Sequence, residues 1–301
     1  MIIDQLPQEF FDNKISEYIA RAVITRFAPS PTGQLHLGHA YAAMFAYEMA
    51  IKGAGEFLIR YEDIDSTRVR SEYYQAIEDD LAALGLTWKI PVIRQSDRLA
   101  AYQKALTELQ RLGVVYPCFC NRRDIMDEVN NMENAPHSPE GVIYPGICRD
   151  LPSSEVQQRL AAGEPHCWRL HSEKAIQQTG ELSFQDSFHG EIAVRHDLLG
   201  DVVLARKDIA TSYHLAVVVD DDYQSVTDIT RGEDLLPSTH VHRILQKLFN
   251  MSEPAYHHHP LVLDNEGIRL AKRHDALSVR SLLDSGKTVT EIKGLLPFSL
   301  T

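Results

Sequence analysis

The chain predicts an α/β fold, a parallel sheet with helical crossovers. Short apolar runs suited to buried strands alternate with stretches of helical spacing, the pattern of strand–helix–strand units. The 301 residues leave room for a sizeable core, in one large domain with insertions rather than two equal ones. Hydrophobic content of 44% and charged content of 24% are those of an ordinary globular chain. No apolar run approaches a membrane span, and residues 1–20, read as an N-terminal extension, carry acids rather than a signal-peptide pattern. A cytoplasmic protein with no membrane partner is expected.

Residues 21–115 read as the first half of the sheet domain. Ala22 to Ile24 predicts a buried strand, Pro29, Pro31 and Gly33 break it into a turn, and Leu35 to Ala50 suits a helix. The junction from Arg26 to His39, RFAPSPTGQLHLGH, is the most distinctive stretch of the chain. A strand feeding a turn and then a helix start aims unpaired backbone N–H groups and a positive dipole end at one spot, which suits a phosphate. His36 and His39 share one helix face, and Gly38 between them leaves room for a flat group to approach the backbone. Glu56 to Tyr61 predicts a second strand that ends at Glu62. Ser71 to Leu84 has helical spacing stopped by Gly85, Ile90 to Ile93 is a short strand, and Asp97 is placed to cap a helix ended by Gly113. In parallel sheets the ligand sits at the carboxyl ends of the strands, where Arg26 and Glu62 fall.

From residue 116 to 195 the alternation gives way to cysteines, loops, a short helix from Ser153 to Ala162, and a hairpin from Leu182 to Val194 turning near His189 and Gly190. This segment reads as an insertion between the two halves. The second half, 196–260, resumes with strands at Asp201 to Ala205 and His214 to Val219 and a helix at about Thr239 to Phe249. Residues 261–301 hold an apolar strand from Leu261 to Leu263, the loop Leu270-Ala271-Lys272-Arg273, and a short C-terminal helical segment. His257, His258 and His259 predict a solvated strand edge, because consecutive side chains diverge and at most two could face one ion.

Four cysteines do not fit a disulfide scaffold at this length. Cys118 and Cys120, with Cys148 after a long loop, have a spacing that could hold zinc, with a fourth ligand from Tyr144, His137 or Cys167; free thiols are the other reading. A net charge of -12 weighs against nucleic acid without excluding it, since a basic groove can sit on an acidic body. Arg94 with Arg98, Arg122 with Arg123, and Arg206 with Lys207 are the candidates for such a groove.

Arg26 to His39 resembles the first ATP-binding motif of class I aminoacyl-tRNA synthetases in the form of the glutamyl and glutaminyl branch, and the Lys272 loop resembles the second. The usual second motif has serine before the lysine, where this chain has Ala271, so one hydroxyl donor is lost and the lysine is kept. Tyr213 to Asp222 (YHLAVVVDDD) and Ile229 to Leu235 (ITRGEDL) extend a resemblance that runs from about Arg21 to Ala276. It implies a Rossmann-type nucleotide-binding domain with a zinc-containing insertion. It also implies catalytic roles for His36, His39 and Lys272, with Gly38 beside them at ATP. Arg26, Phe27, Ala28, Pro29, Ser30, Glu62, Tyr213 and Arg231 are implied to line an amino-acid pocket. Two guanidiniums can each grip a carboxylate and a carboxylate can hold an ammonium, a set that one dicarboxylic amino acid satisfies. The resemblance further selects Tyr144 to join Cys118, Cys120 and Cys148 on one structural zinc ion.

The implied reaction is attack by the carboxylate of L-glutamate on the α-phosphorus of ATP, with Mg²⁺, to give glutamyl-adenylate and pyrophosphate. Conventional members continue past the second motif into an anticodon-reading region. The branch that stops there forms the adenylate without tRNA and transfers glutamate to queuosine in the anticodon loop of tRNA(Asp). That activity, in a monomer, is the expectation for this chain; the alternative is a short conventional synthetase that charges the tRNA 3′ end. A nucleotidyltransferase sharing the histidine motif would not need Glu62, Tyr213 and Arg231 together, and an inactive paralogue would be expected to lose Lys272 or a histidine.

Overall fold

The computed structural model describes residues 22–131, 137–138, 141–262 and 278–296. Two compact units divide them. The first holds the described residues through Asp97, Ser225–Glu233, and the described residues from Pro254; the second holds those within Arg98–Gln224 and Asp234–Glu253. Among the described residues no helix is long and apolar enough to cross a membrane.

The first unit opens with β1 (Ile24–Phe27), α1 (Leu37–Lys52), β2 (Glu56–Tyr61), α2 (Glu72–Ala83) and β3 (Lys89–Arg94). All three strands are parallel, with Arg26 opposite Leu58. The first strand lies later than the predicted Ala22 to Ile24, because the ladder begins only where the Glu56 N–H reaches the Val23 carbonyl at 2.9 Å. Gly55 makes that approach possible, since a Cβ there would lie 1.8 Å from the Val23 carbonyl oxygen. α1 buries Leu37, Ala40, Tyr41, Met44 and Phe45. Asp97 does not cap the next helix; it sits in a 3₁₀ turn, Gln95–Arg98, and the helix start has no side-chain cap.

The second unit follows with α3 (Leu99–Arg111), β4 (Val115–Cys118), α4 (Arg122–Asn131), a two-residue ladder of β5 (His137–Ser138) and β6 (Gly141–Val142), and α5 (Ser153–Ala161). It continues through β7 (Cys167–Leu170), α6 (Ser172–Thr179), β8 (Ser183–Asp186), β9 (Gly190–Ala193), β10 (Val203–Ala205) and α7 (Tyr213–Tyr223). β7 pairs antiparallel with both β4 and β10, and β8 with β9 forms the predicted hairpin. The predicted strand at His214 to Val219 is instead the body of α7. Leu215 to Val218 and also Asp220 and Asp221 are buried, so the helix is covered on most sides and shows no amphipathic period. Asp220 earns its burial by accepting from Arg98 at 2.6 Å and Tyr102 at 2.7 Å.

The chain then supplies β11 (Asp228–Gly232) to the first unit, α8 (Leu236–Leu248) to the second, and β12 (Ala255–His259) to the first again. β11 and β12 are parallel, with Arg231 opposite His258. β11 runs beside β1, joined by Thr227 N–H to the Ile24 carbonyl at 3.0 Å and Ile24 N–H to the Thr227 hydroxyl at 2.8 Å. The three consecutive histidines are not a solvated edge: His257, His258 and His259 are all buried. His257 meets Asp228 at 3.0 Å, and the His259 ring packs edge-on to Tyr41. The apolar strand predicted from Leu261 is absent at Leu261 and Val262; the strand there is β12, displaced upstream. Two short helices, α9 (Val279–Asp284) and α10 (Val289–Lys293), complete the first unit. Ser278 bridges to His36, Val279 N–H donates to the Leu35 carbonyl at 2.7 Å, and Arg280 meets the buried Asp80 at 2.8 Å.

Candidate active site and metal centre

The carboxyl ends of β1, β2 and β11 gather the first group of polar residues. Arg26 on β1 is 4% exposed, and its guanidinium donates to the Thr230 carbonyl of β11 at 3.1 Å. Arg231, one residue further along β11, is also buried, and its Nε donates to Nε2 of His258 at 3.0 Å. Glu62 follows β2, where its N–H holds the Pro29 carbonyl at 3.0 Å and thereby ties the turn after β1 to the sheet. Its carboxylate lies 3.6 Å from the fully buried Arg60. Phe27 and Pro29 are buried, Ala28 is half-buried and Ser30 is exposed. Two buried guanidiniums and a half-buried carboxylate at one sheet edge suit a ligand with carboxylates and an ammonium.

His36 and His39 build the start of α1. His36 is the N-cap, and its Nδ1 accepts the Gly38 N–H at 3.1 Å. Nδ1 of His39 accepts the His36 N–H at 3.5 Å, which closes a reciprocal capping box made of two histidines. The rings stack with centroids 3.7 Å apart. Because each Nδ1 accepts, each neutral ring carries its proton on Nε2 and donates there. A Cβ on Gly38 would lie 3.0 Å from the His36 ring, so the glycine protects the cap itself. Two imidazole donors at a helix N-terminus with no acid in its first turn suit an anion.

Tyr213 stands in the second unit as the first residue of α7, with its ring 5.5 Å from that of His242. Lys272, with Ala271 and Arg273, lies outside the described residues.

The cysteine segment condenses around Cys118, Cys120 and Cys148, whose sulfurs lie within 4.8 Å of one another. Tyr144 Oη is 3.3 Å from Cys118 Sγ and 3.6 Å from Cys120 Sγ, and Cys120 Sγ is 3.4 Å from Cys148 Sγ. A zinc tetrahedron has sulfur–sulfur edges of about 3.8 Å and sulfur–oxygen edges of about 3.5 Å, as follows from its bond lengths. The edges at 3.3, 3.4 and 3.6 Å lie near those values, and the three thiols could hold a metal ion. The Cys148 N–H donates to Tyr144 Oη at 2.8 Å and aims it. Cys167 lies opposite Cys118 in the β4–β7 ladder but outside the sulfur cluster. A hydrogen bond from Cys167, with others from Tyr144 and Arg169, holds the Cys118 thiol far below its usual range. Burial and the neighbouring sulfur of Cys148 push Cys120 up.

Arg169 and Asp201 were not found from the sequence. The Arg169 guanidinium stacks 3.8 Å over the Tyr144 ring and donates to the Asp201 carbonyl at 2.8 Å. The Asp201 carboxylate takes the Tyr116 hydroxyl at 2.6 Å, Ser172 N–H at 3.0 Å and Arg149 at 2.8 Å. Strand alternation carried the signal for Arg169, since two residues after Cys167 it shares the same face of β7.

The basic pairs are largely engaged within the fold. Arg98 binds Asp220, Arg206 binds Asp208 at 2.7 Å, and Lys207 donates to the Phe119 carbonyl at 3.0 Å. Arg94 stacks over Tyr74, Arg123 lies 3.6 Å from Asp127, and Arg122 is exposed.

A parallel sheet whose carboxyl edge leads into a histidine-capped helix is the framework of a class I synthetase. The family model for tRNA synthetases class I (E and Q), catalytic domain, matches residues 22–290, and the chain belongs to that family of ligases. Within it, the chain is 45% identical over 279 residues to glutamyl-Q tRNA(Asp) synthetase of Rhodobacter capsulatus, covering 91% of this chain and 99% of that protein. It is 36% identical over 264 residues to glutamate–tRNA ligase of Coprothermobacter proteolyticus, covering 87% of this chain and 55% of the ligase. The crystal structure of glutamate-tRNA synthetase from Elizabethkingia anophelis superposes with a TM-score of 0.72 at 27% identity, over 84% of this chain and 53% of that one. The chain thus spans about half the length of these two conventional synthetases.

Proposed function

We propose that this chain activates L-glutamate with MgATP to glutamyl-adenylate without tRNA, and then transfers the glutamyl group to queuosine in the anticodon loop of tRNA(Asp). The observation that carries the first step is the set of Arg26, Glu62 and Arg231 at one sheet edge, with β1 leading directly into the His36–His39 helix start. In this reading the glutamate carboxylate attacks the α-phosphorus, the bond to the β-phosphate oxygen breaks, and pyrophosphate leaves. Arg26 and Arg231 bind carboxylates and Glu62 the ammonium, with Phe27 to Ser30 and Tyr213 completing the amino-acid contacts. His36 and His39 donate from Nε2 to the phosphates, and Lys272 stabilises the departing pyrophosphate. Alignment and charge neutralisation supply the rate.

The second step is supported by the higher identity to a protein named glutamyl-Q tRNA(Asp) synthetase than to glutamate–tRNA ligase. There a hydroxyl of the queuosine cyclopentenediol attacks the acyl carbon and AMP leaves. Cys118, Cys120, Tyr144 and Cys148 would hold one zinc ion, whose role is structural because four protein ligands leave no open position.

The first step is tested by exchange of pyrophosphate into ATP with the protein alone. Exchange should depend on glutamate and should proceed at least about a hundredfold less well with glutamine, whose neutral amide leaves a buried guanidinium short of its partner. Exchange with glutamine as fast as with glutamate, or no exchange until tRNA is added, would remove the reading.

A further inference from the structure

His258 has no part in the activity described so far. It is completely buried on β12, directly opposite Arg231 in the parallel ladder. Its Nε2 lies 3.0 Å from Nε of Arg231. A guanidinium nitrogen only donates, so Nε2 is the acceptor and the His258 ring is neutral. The Nε–H bond lies in the plane of the guanidinium, and fixing it restricts rotation of the whole planar fork.

The ring that does this is itself held. His258 lies nearly parallel to Tyr256, with centroids 6.0 Å apart and 7° between planes, and Tyr256 is fully buried. The Arg231 guanidinium carbon is 5.9 Å from the Tyr256 centroid, so the same aromatic shelf supports both partners. The Thr230 carbonyl, one residue before Arg231, receives Arg26. Arg26 is therefore held by the residue next to Arg231 on β11.

We propose that His258 is a positioning residue for glutamate recognition, its Nε2 setting the orientation in which Arg231 meets the substrate carboxylate. The inference rests on the assignment of Arg231 to glutamate. An interaction formed equally with substrate and transition state appears in KM rather than kcat. Orientation of Arg231 serves binding, so glutamate KM is the quantity that His258 should control.

The test is pyrophosphate exchange by wild type, His258→Gln and His258→Phe. Glutamine offers an amide oxygen near the position of Nε2, whereas phenylalanine keeps a ring on the shelf and offers no acceptor. His258→Phe should raise glutamate KM about ten- to a hundredfold, the scale of one buried hydrogen bond to a charged group. Its ATP KM should be unchanged and its kcat within about threefold, and His258→Gln should stay within about threefold of wild type throughout. An unchanged glutamate KM in a folded His258→Phe protein overturns the proposal, as does a parallel loss for glutamate and ATP. Thermal melting establishes folding. If His258→Phe does not fold, His258→Asn replaces it: its shorter amide falls short of Nε2, so it should raise glutamate KM while His258→Gln does not. Equal KM values in those two variants overturn the proposal. Absence of glutamate-dependent exchange in the wild type would overturn the assignment of Arg231 and this inference with it, whereas active wild type with insensitive variants removes only the role of His258.

Discussion

On a neutral imidazole only one nitrogen accepts, and in His36 and His39 the backbone of α1 occupies that nitrogen. The ring that ends the helix is therefore the ring that offers a donor outward, and the two duties can be separated by substitution. His36→Asn keeps a good N-cap and removes the Nε2 donor, so its melting temperature should stay near wild type while exchange falls. His36→Ala should lose about 1 kcal/mol of stability as well. Removing one such donor should slow exchange by about two to three orders of magnitude, and the same is expected of His39→Ala and Lys272→Ala. Wild-type rates in all of these variants would take the ATP site away from this motif. The histidine motif was legible in the sequence because its geometry is local, two residues three apart at a helix start. His257 to His259 were misread for the opposite reason. Whether a strand is solvated depends on what covers it, and β12 is buried on both faces by groups distant in the chain, Tyr41 and Asp228 on one and Arg231 on the other.

The cysteine-bearing segment behaves as a small core of its own, with Tyr116, Cys118, Phe119, Tyr144, Cys148 and Cys167 buried together. Protein purified without added metal should contain one zinc per chain by elemental analysis. Cys148→Ser should lose the ion and lower the melting temperature, because metal binding free energy is returned when a ligand is removed. A metal-free protein that is folded and active would mean that these are free thiols. Asp201 gives the same region a pH signature. Burial pushes its carboxyl up, but hydrogen bonds from Tyr116, Ser172 and Arg149 outweigh this and hold it below the usual 3.8. A carboxyl depressed in the folded state stabilises the fold above the unfolded value and loses that contribution as pH falls below it. Asp201→Asn should therefore destabilise by about 3 kcal/mol at neutral pH, as for a broken buried pair. The difference from wild type should shrink as pH drops below 3.8, which urea titrations at several pH values would show. At this scale the hairpin and most helices were legible from period and turn residues. The strand reading of His214 to Val219 failed because a continuous apolar run of that length fits a buried helix equally well.

For the whole molecule the deciding question is where glutamate goes. An enzyme that acylates the queuosine diol should accept tRNA(Asp) from which the 3′ adenosine has been removed. The same tRNA with unmodified guanosine, and tRNA(Glu), should accept nothing. Charging of tRNA(Glu) that disappears on 3′ trimming would show a conventional synthetase instead. The parallel sheet was visible in the alternation of elements, but the return of β11 to β1 was not, since no local pattern records a contact between residues 203 apart. That return, together with the bonds from Ser278 and Val279 to His36 and Leu35, has a bearing on how the protein is born. Chains emerge from the ribosome amino end first, and distant contacts wait for both partners. The start of the histidine helix is translated about 240 residues before its neighbours Ser278 and Val279, and β1 about 200 residues before Thr227. A nascent chain thus carries its most recognisable motif through a long stretch of translation before the residues that seat it exist.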